Sequence, residues 1–195
     1  MNRIAAALGL VLSITMLGCQ ASTSPYAPGD VSARNPQRAA ELTTKAAEAI
    51  DAGELDKAEK VLREALAEDL FYGPAHNNLG VIFLKQAKLY SAAGEFEWAR
   101  KLMPGQPDPR INLAITLEKA GQIGDAQDAY RAALEASPLH VDAMTGLARL
   151  QIVAGNADHE TFSLLNRIES SSDDPGLRAW ARDQRLRLAH APAMR

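Results

Sequence analysis

The 195-residue sequence contains a single cysteine and few aromatic side chains, which make up 5% of its composition. One cysteine excludes an internal disulfide framework. The chain has 21 basic and 24 acidic residues, for a formal charge of −3, and it lacks the basic stripe of a nucleic-acid-binding protein. No segment alternates apolar and polar residues as a half-buried strand does. We therefore predict an all-α protein without a nucleic-acid partner.

The sequence motifs of common enzymes are also missing. We find no nucleophile elbow, no P-loop and no glycine-rich dinucleotide turn. His159-Glu160 begins the pattern of a zinc-binding helix, but Ser163 stands where the second histidine is required. We predict that the chain is not an enzyme and that it uses no cofactor or metal.

The longest apolar run lies between residues 4 and 17 and has 14 residues. As a helix it would be about 21 Å long, which is shorter than the roughly 30 Å hydrocarbon core of a bilayer. The run therefore indicates an export signal rather than a membrane-spanning anchor.

This run ends in the segment Met16-Leu17-Gly18-Cys19, which resembles the signal box of bacterial lipoproteins. The resemblance implies that residues 1–18 are removed and that Cys19 is acylated. It also implies a lipid anchor in a membrane of the cell envelope, the outer membrane facing the periplasm. The alternative is an ordinary signal peptide that happens to contain a cysteine.

A stretch rich in serine, proline and glycine follows, and residues 19–37 are predicted to form the lipidated cysteine and a flexible tether. Asn35 followed by Pro36 predicts a helix start, with Asn35 as the N-cap and Pro36 at the first helical position.

Residues 73–106 carry one recognisable unit. It contains Leu79-Gly80-x2-Phe83, then Ala92-x3-Phe96, and finally Pro104. This spacing is the signature of a helix–turn–helix repeat of 34 residues. Gly80 and Ala92 are small where the two helices approach each other, and Pro104 ends the second helix. Because one such hairpin cannot bury its own apolar face, further copies are expected beside it.

Copies do recur with an unbroken period of 34 residues. The turn position holds Gly53, Ala87, Gly121 and Gly155, and the helix-crossing position holds Ala58, Ala92, Ala126 and Glu160. The pattern resembles the tetratricopeptide repeat family over roughly residues 39–172. In the last copy Glu160 and Arg167 stand where the family has alanine, in a second helix predicted from residue 157 to 170. We interpret this departure as the polar end of the array.

The resemblance implies a right-handed α-solenoid in a domain spanning residues 38–190. Its four repeats are expected at about 39–72, 73–106, 107–140 and 141–174, followed by a capping helix at 175–190. That last helix carries Arg178, Arg182, Arg185 and Arg187. The alternative to a cap is a basic helix that touches anionic lipid headgroups.

In this family the first helix of each repeat lines a concave groove. The corresponding positions here are Ala47, Asn77, Val81, Leu84, Lys85, Ile111, Ile115, Lys119, Arg149 and Ile152. The lining is mostly apolar with cations at its edge, which predicts an apolar or amphipathic peptide as the ligand. The alternative is that curvature buries these apolar side chains against the neighbouring first helices.

For function, the resemblance implies a non-catalytic scaffold or adaptor lipoprotein that binds a protein or peptide partner in the cell envelope. Lipoproteins of this build assist pilus or secretin assembly, or recruit peptidoglycan enzymes. The alternative is a structural or self-associating envelope component. Homo-oligomer contacts could then run through Trp98, which either lies on the convex face or packs along its own helix. A glycan binder is disfavoured because the groove positions include no aromatic residue.

Overall fold

The computed structural model describes residues 34–190, and this part of the chain forms nine α-helices and no strand. The helices are α1 (Pro36–Asp51), α2 (Leu55–Glu68), α3 (Gly73–Lys85), α4 (Leu89–Leu102), α5 (Asp108–Lys119), α6 (Ile123–Ala136), α7 (Val141–Val153), α8 (His159–Ser171) and α9 (Pro175–His190). The all-α prediction is confirmed. The predicted signal peptide, the acylated Cys19 and most of the tether lie outside the described residues. None of the described helices combines the length and the apolar character needed to cross a membrane.

The first and the last described helices begin where a polar cap precedes proline. The side chain of Asn35 accepts a hydrogen bond from the backbone N–H of Arg38 at 3.1 Å, with Pro36 in the first turn of α1. This confirms the predicted cap. At α9 the carboxylate of Asp174 accepts from the backbone N–H of Gly176 at 2.8 Å. Each cap satisfies a backbone donor that the first helical turn leaves free.

Successive helices pack against one another as hairpins, α1 with α2, α3 with α4, α5 with α6 and α7 with α8. The first helices of neighbouring hairpins also contact each other directly, in the order α1, α3, α5, α7. The second helices of neighbouring hairpins make at most a marginal contact. The side formed by the first helices is therefore the closer-packed, inner side of the array.

Every hairpin turns through a residue in the left-handed backbone region. The φ angles are +77° at Gly53, +57° at Ala87, +77° at Gly121 and +70° at Gly155. Ala87 is the one residue other than glycine with a positive φ within residues 34–190. A side chain in this conformation costs roughly 1–2 kcal/mol, so the turn of α3 and α4 is strained.

Two apolar clusters form the core, one within α1–α4 with Leu113 of α5, the other within α5–α9. In the first, the ring of Phe96 lies directly over Gly80: a methyl group there would come within 2.6 Å of Phe96 Cε1. In the second, the ring of Tyr130 lies equally close over Gly146 of α7. The small residues are therefore required where an aromatic ring fills the space between helices, as the sequence predicts for Gly80.

The last hairpin corrects the predicted alignment. Helix α8 begins at His159, four residues after Gly155, whereas α2, α4 and α6 each begin two residues after their turn residue. The fully buried side chains of α8 are Thr161, Leu165 and Ile168, each one position beyond the 34-residue columns. Glu160 and Arg167 therefore do not replace the small core residues. The sequence interpretation was wrong there because the turn is longer and the buried positions of α8 are shifted by one residue.

The longer turn is stabilised by a capping box. The carboxylate of Asp158 accepts hydrogen bonds from the backbone N–H groups of Glu160 and Thr161, at 2.9 and 3.2 Å. In return, the hydroxyl oxygen of Thr161 accepts from the backbone N–H of Asp158 at 3.2 Å. This reciprocal arrangement fixes the start of α8, and it moves Thr161 rather than Glu160 to the helix crossing.

Candidate binding groove

The predicted groove positions lie on the inner helices α1, α3, α5 and α7. The half-buried members are Ala47, Asn77, Val81, Leu84, Ile115 and Ile152. Val81 and Leu84 pack against the first core cluster, Ile115 and Ile152 against the second, and all four keep part of their surface accessible. They form an apolar row across the three inner helices α3, α5 and α7.

Ile111 behaves differently from the rest of this set. Its side chain is only 6% exposed and belongs to the second core cluster. For this residue the alternative, burial by neighbouring helices, describes the structure better than a place in an accessible lining. The accessible apolar row is therefore Val81, Leu84, Ile115 and Ile152.

Polar contacts hold the inner helices to one another. The amide Nδ2 of Asn112 donates to Oδ1 of Asn77 at 3.1 Å, joining α5 to α3. Two hydrogen bonds of 2.7 Å join the guanidinium of Arg149 to the carboxylate of Glu118, bridging α7 and α5. This carboxylate raises the pKa of Arg149 above its usual value. The bidentate pair fixes the relative position of the two helices.

The three predicted cations of the groove are therefore not equivalent. Arg149 is neutralised by Glu118. Lys85 and Lys119 are exposed and have no ion pair among residues 34–190. Each lies in the last turn of its helix, where a cation also complements the helix dipole. A negatively charged ligand group at the groove would meet these two lysines.

A second concave feature lies on the outer side and was missed by sequence reasoning. It is a cleft of about 460 Å³ between α4 and α6, with Leu113 and Leu117 of α5 among its lining. Its walls also contain Ala93, Ala129 and Ala132, and its charged lining residues are Glu97, Arg100, Arg110, Asp125 and Asp128. The small residues on α4 and α6 were the available sequence signal for such a gap.

Both ring nitrogens of His76, the buried histidine of the second hairpin, have hydrogen-bond partners within the fold. Nδ1 of His76 lies 2.7 Å from a carboxylate oxygen of Glu95, and Nε2 lies 2.9 Å from the carbonyl oxygen of Leu70. Trp98 stacks on the His76 ring with centroids 5.8 Å apart. Trp98 therefore packs on α3, and the alternative in which it packs along its own helix is wrong. The arrangement joins α3, α4 and the preceding turn.

The arginines of α9 are engaged within the protein. Glu169 of α8 pairs with Arg182 at 2.7 Å and with Arg185 at 3.1 Å. Arg178 donates to the carbonyl oxygen of Ser172 at 2.8 Å. These contacts fasten α9 to the end of the array and favour the capping interpretation over a headgroup-binding helix.

Within residues 34–190, no three or more histidine, cysteine, aspartate or glutamate side chains converge as a metal site.

Residues 21–176 match the family model described as Protein kinase G tetratricopeptide repeat. The chain belongs to this tetratricopeptide repeat family. Human Tetratricopeptide repeat protein 8 is 32% identical over 97 residues, which are 48% of this chain but only 17% of the human protein.

Solved tetratricopeptide repeat structures share the fold. The first TPR of Spaghetti (RPAP3) bound to the HSP90 peptide SRMEEVD has a TM-score of 0.60 at 16% identity, covering 63% of this chain and 98% of that one. A tetratricopeptide repeat protein from Parabacteroides merdae gives 0.65 at 22%, covering 75% and 58%. The Yersinia enterocolitica chaperone SycD with a peptide of the translocator YopD gives 0.55 at 16%, covering 58% and 92%. Likeness at these identities concerns the fold alone.

Proposed function

We propose that this tetratricopeptide repeat protein is a non-catalytic adaptor that holds an apolar or amphipathic peptide segment of a partner protein in its inner groove. The observation that carries the proposal is the accessible row of Val81, Leu84, Ile115 and Ile152. Apolar side chains left partly exposed in a row on rigid helices mark an interaction surface. Lys85 and Lys119, which have no ion pair within the described part of the chain, supply positive charge beside it.

Two of the structural neighbours support a peptide as the ligand class. The RPAP3 domain is bound to an HSP90 peptide and SycD to a peptide of YopD. In the groove of this chain the apolar row is aliphatic, and Arg149 is paired with Glu118. We therefore expect the partner segment to present aliphatic or aromatic side chains to the groove and an acidic group to the lysines.

The place of action that we propose is the bacterial cell envelope, with the protein anchored by an acylated Cys19 to the outer membrane on its periplasmic side. The support is the sequence of residues 1–19, which has the length and the terminal box of a lipoprotein signal. A tethered adaptor of this kind would serve pilus or secretin assembly, or would recruit peptidoglycan enzymes.

The groove is tested by placing charge in its apolar row. Val81→Glu and Ile115→Glu should each abolish crosslinking of the partner in envelope preparations, because a carboxylate would enter the apolar interface. Ile123→Glu, at the start of an outer helix, is the matched control and should leave capture intact. Circular dichroism confirms that all three variants are folded. Unchanged capture by both folded groove variants would rule the groove out.

The anchor is tested separately. Mass spectrometry of the protein purified from membranes should show fatty-acyl groups on Cys19, and Cys19→Ser should release the chain from the membrane fraction. An intact N-terminus with an unmodified thiol would contradict the anchor without affecting the groove.

Self-association is the second candidate, because large apolar side chains are exposed away from the groove: Tyr90 is 96% and Leu139 63% exposed. Light scattering of the Cys19→Ser form at two concentrations distinguishes the candidates. A constant monomer mass supports the adaptor, and a mass that rises with concentration supports the structural component.

A further inference from the structure

Arg34 and Asn35, the first residues that the structure describes, are hydrogen-bonded to the end of α2 and the residue after it. Nε and Nη2 of Arg34 donate to the two carboxylate oxygens of Asp69, at 2.8 and 3.0 Å. The same guanidinium lies over the ring of Phe71, 5.1 Å from its centroid. The backbone N–H of Asn35 donates to the carbonyl oxygen of Glu68 at 2.9 Å. The preceding segment therefore joins the domain at the link between α2 and α3.

We call the contacts of Arg34 with Asp69 and Phe71 the Arg34 clamp, and its acceptor carboxylate is buried. The carboxylate of Asp69 is 1% exposed, and it also accepts from the backbone N–H of Phe71 at 3.0 Å. A bidentate guanidinium–carboxylate pair fixes direction as well as distance. The position of Arg34 is thus fixed relative to the α2–α3 link, and a tether attached before Arg34 acts on the domain at this link.

The links between successive hairpins lie on one side of the array, because each helix runs antiparallel to the next. We call this side the link edge, defined by the exposed apolar link residues Phe71, Pro104, Pro138 and Leu139, together with Trp98 near the end of α4. The turns within the hairpins lie on the opposite side, the turn edge, which exposes Tyr90, Ile123 and Val153. Helices of 13 or 14 residues separate the two edges by about 20 Å.

We propose that the link edge rests on the surface of the lipid bilayer that holds Cys19. This inference depends on the membrane anchor of the proposed function. Cys19 precedes Arg34 by 15 residues, which reach at most about 50 Å, and the clamp makes the link edge the side from which that tether starts. Trp98 is a side chain suited to the interface between headgroups and hydrocarbon.

Apolar exposure by itself does not select this edge. Phe71, Trp98 and Leu139 are 39%, 47% and 63% exposed, while Tyr90 and Val153 on the turn edge are 96% and 79% exposed. The link edge is preferred because Arg34 and Asn35 hold the start of the domain to that side. The turn edge is consequently a matched control of similar apolar character.

This orientation has a consequence for the groove. With the link edge on the bilayer, the helices stand along the membrane normal and the row from Val81 to Ile152 opens sideways, parallel to the membrane. A partner anchored in the same membrane could then reach the groove without passing under the domain.

Tryptophan fluorescence tests the contact. The sole thiol, Cys19, of the full chain is coupled to maleimide-phosphatidylethanolamine in vesicles of phosphatidylethanolamine and phosphatidylglycerol, with and without brominated acyl chains. Trp180→Phe leaves Trp98 as the one remaining tryptophan of two. Bromine should quench Trp98 at least twofold. The control carries Trp180→Phe, Trp98→Tyr and Tyr90→Trp, which moves the fluorophore to the turn edge, and should be quenched little.

A second variant tests the role of the link edge itself. Phe71→Ser combined with Leu139→Ser should at least halve the quenching of Trp98 at the same coupling yield, with an unchanged circular dichroism spectrum. Absence of quenching at Trp98, or equal quenching at positions 98 and 90, overturns the proposal. Chemical coupling supplies the anchor whether or not cells acylate Cys19. Failure of the edge contact is thereby distinguished from failure of the anchor, which mass spectrometry of the native protein tests.

Discussion

The hairpin of α3 and α4 and the hairpin of α7 and α8 solve the same packing problem differently. The first follows the 34-residue pattern throughout: Phe96 fills the notch over Gly80, and Ala92 lies fully buried at the crossing. Its turn, however, forces Ala87 to a φ of +57°. The last hairpin has glycine in its turn, but it departs from the pattern by one residue and buries Thr161 at the crossing.

Polar contacts make that departure stable. The hydroxyl of Thr161 donates to Oε1 of Gln151 at 2.8 Å, and Nε2 of Gln151 donates to the carboxylate of Glu160. The Glu160 carboxylate also pairs with Arg131 of α6 at 2.9 Å. The comparison shows that a repeat can change register at the end of an array when hydrogen bonds at the helix crossing stabilise the new register.

The largest expected effect is the loss of the aromatic ring in the regular hairpin. Phe96→Ala leaves a cavity over Gly80 that fully buried neighbours cannot fill, and should lower the free energy of unfolding by about 3–5 kcal/mol. Urea denaturation followed by circular dichroism measures it. Leu165→Ala, at the equivalent structural position of α8, is the comparison and should cost about 2–5 kcal/mol. A cost below 1 kcal/mol at Phe96 would contradict the packing described.

The next effect concerns the buried network of the last hairpin. Gln151→Leu leaves the hydroxyl of Thr161 without its acceptor in a fully buried site and should cost about 1–3 kcal/mol. Combining it with Thr161→Val should cost less than the sum of the single changes, because the two side chains interact directly. Additive costs in urea denaturation of the three variants would show that the network does not act as a unit.

These two hairpins also mark how far sequence reasoning reaches. The spacing of Gly80, Ala92 and Phe96 predicts the helices and their crossing because each residue type has one packing role. It could not predict the shift at Thr161. Asp158 can be identified as the N-cap of α8 only when the length of the preceding turn is known. For the groove, the pattern identifies the inner-facing positions but cannot tell accessible Ile115 from buried Ile111, which depends on the curvature between helices.

A smaller effect is the pH dependence of the last hairpin. Hydrogen bonds from Arg131 hold the pKa of Glu160 below its usual value. A lowered folded-state pKa means that the pair stabilises the protein above about pH 4.5 and that this contribution is lost as the pH falls through the folded-state pKa. Arg131→Gln should therefore be less stable than the parent at pH 7.

The same pair predicts that the stability difference between the parent and Arg131→Gln narrows as the pH falls below 4.5. Urea midpoints at pH 7, 4.5 and 3.5 measure it. Arg187→Gln is the control, because it removes an arginine from an exposed pair on α9, and it should change stability by at most about 0.5 kcal/mol. A difference for Arg131→Gln that is constant with pH would show that the ion pair does not contribute.

The smallest effect tests the strained turn that distinguishes the regular hairpin from the last one. Ala87→Gly should raise the free energy of unfolding by about 1 kcal/mol, because glycine tolerates a positive φ and the gain exceeds the added entropy of the unfolded chain. For a protein of this size, that corresponds to a melting temperature about 2–4 °C higher. Gly121→Ala is the inverse change at the same turn position, with a φ of +77° and no atom within 4 Å of the added methyl. It should lower the melting temperature by a similar amount, because only the backbone conformation opposes it. If both changes lowered the melting temperature, the left-handed turn would not be the source of the strain at Ala87.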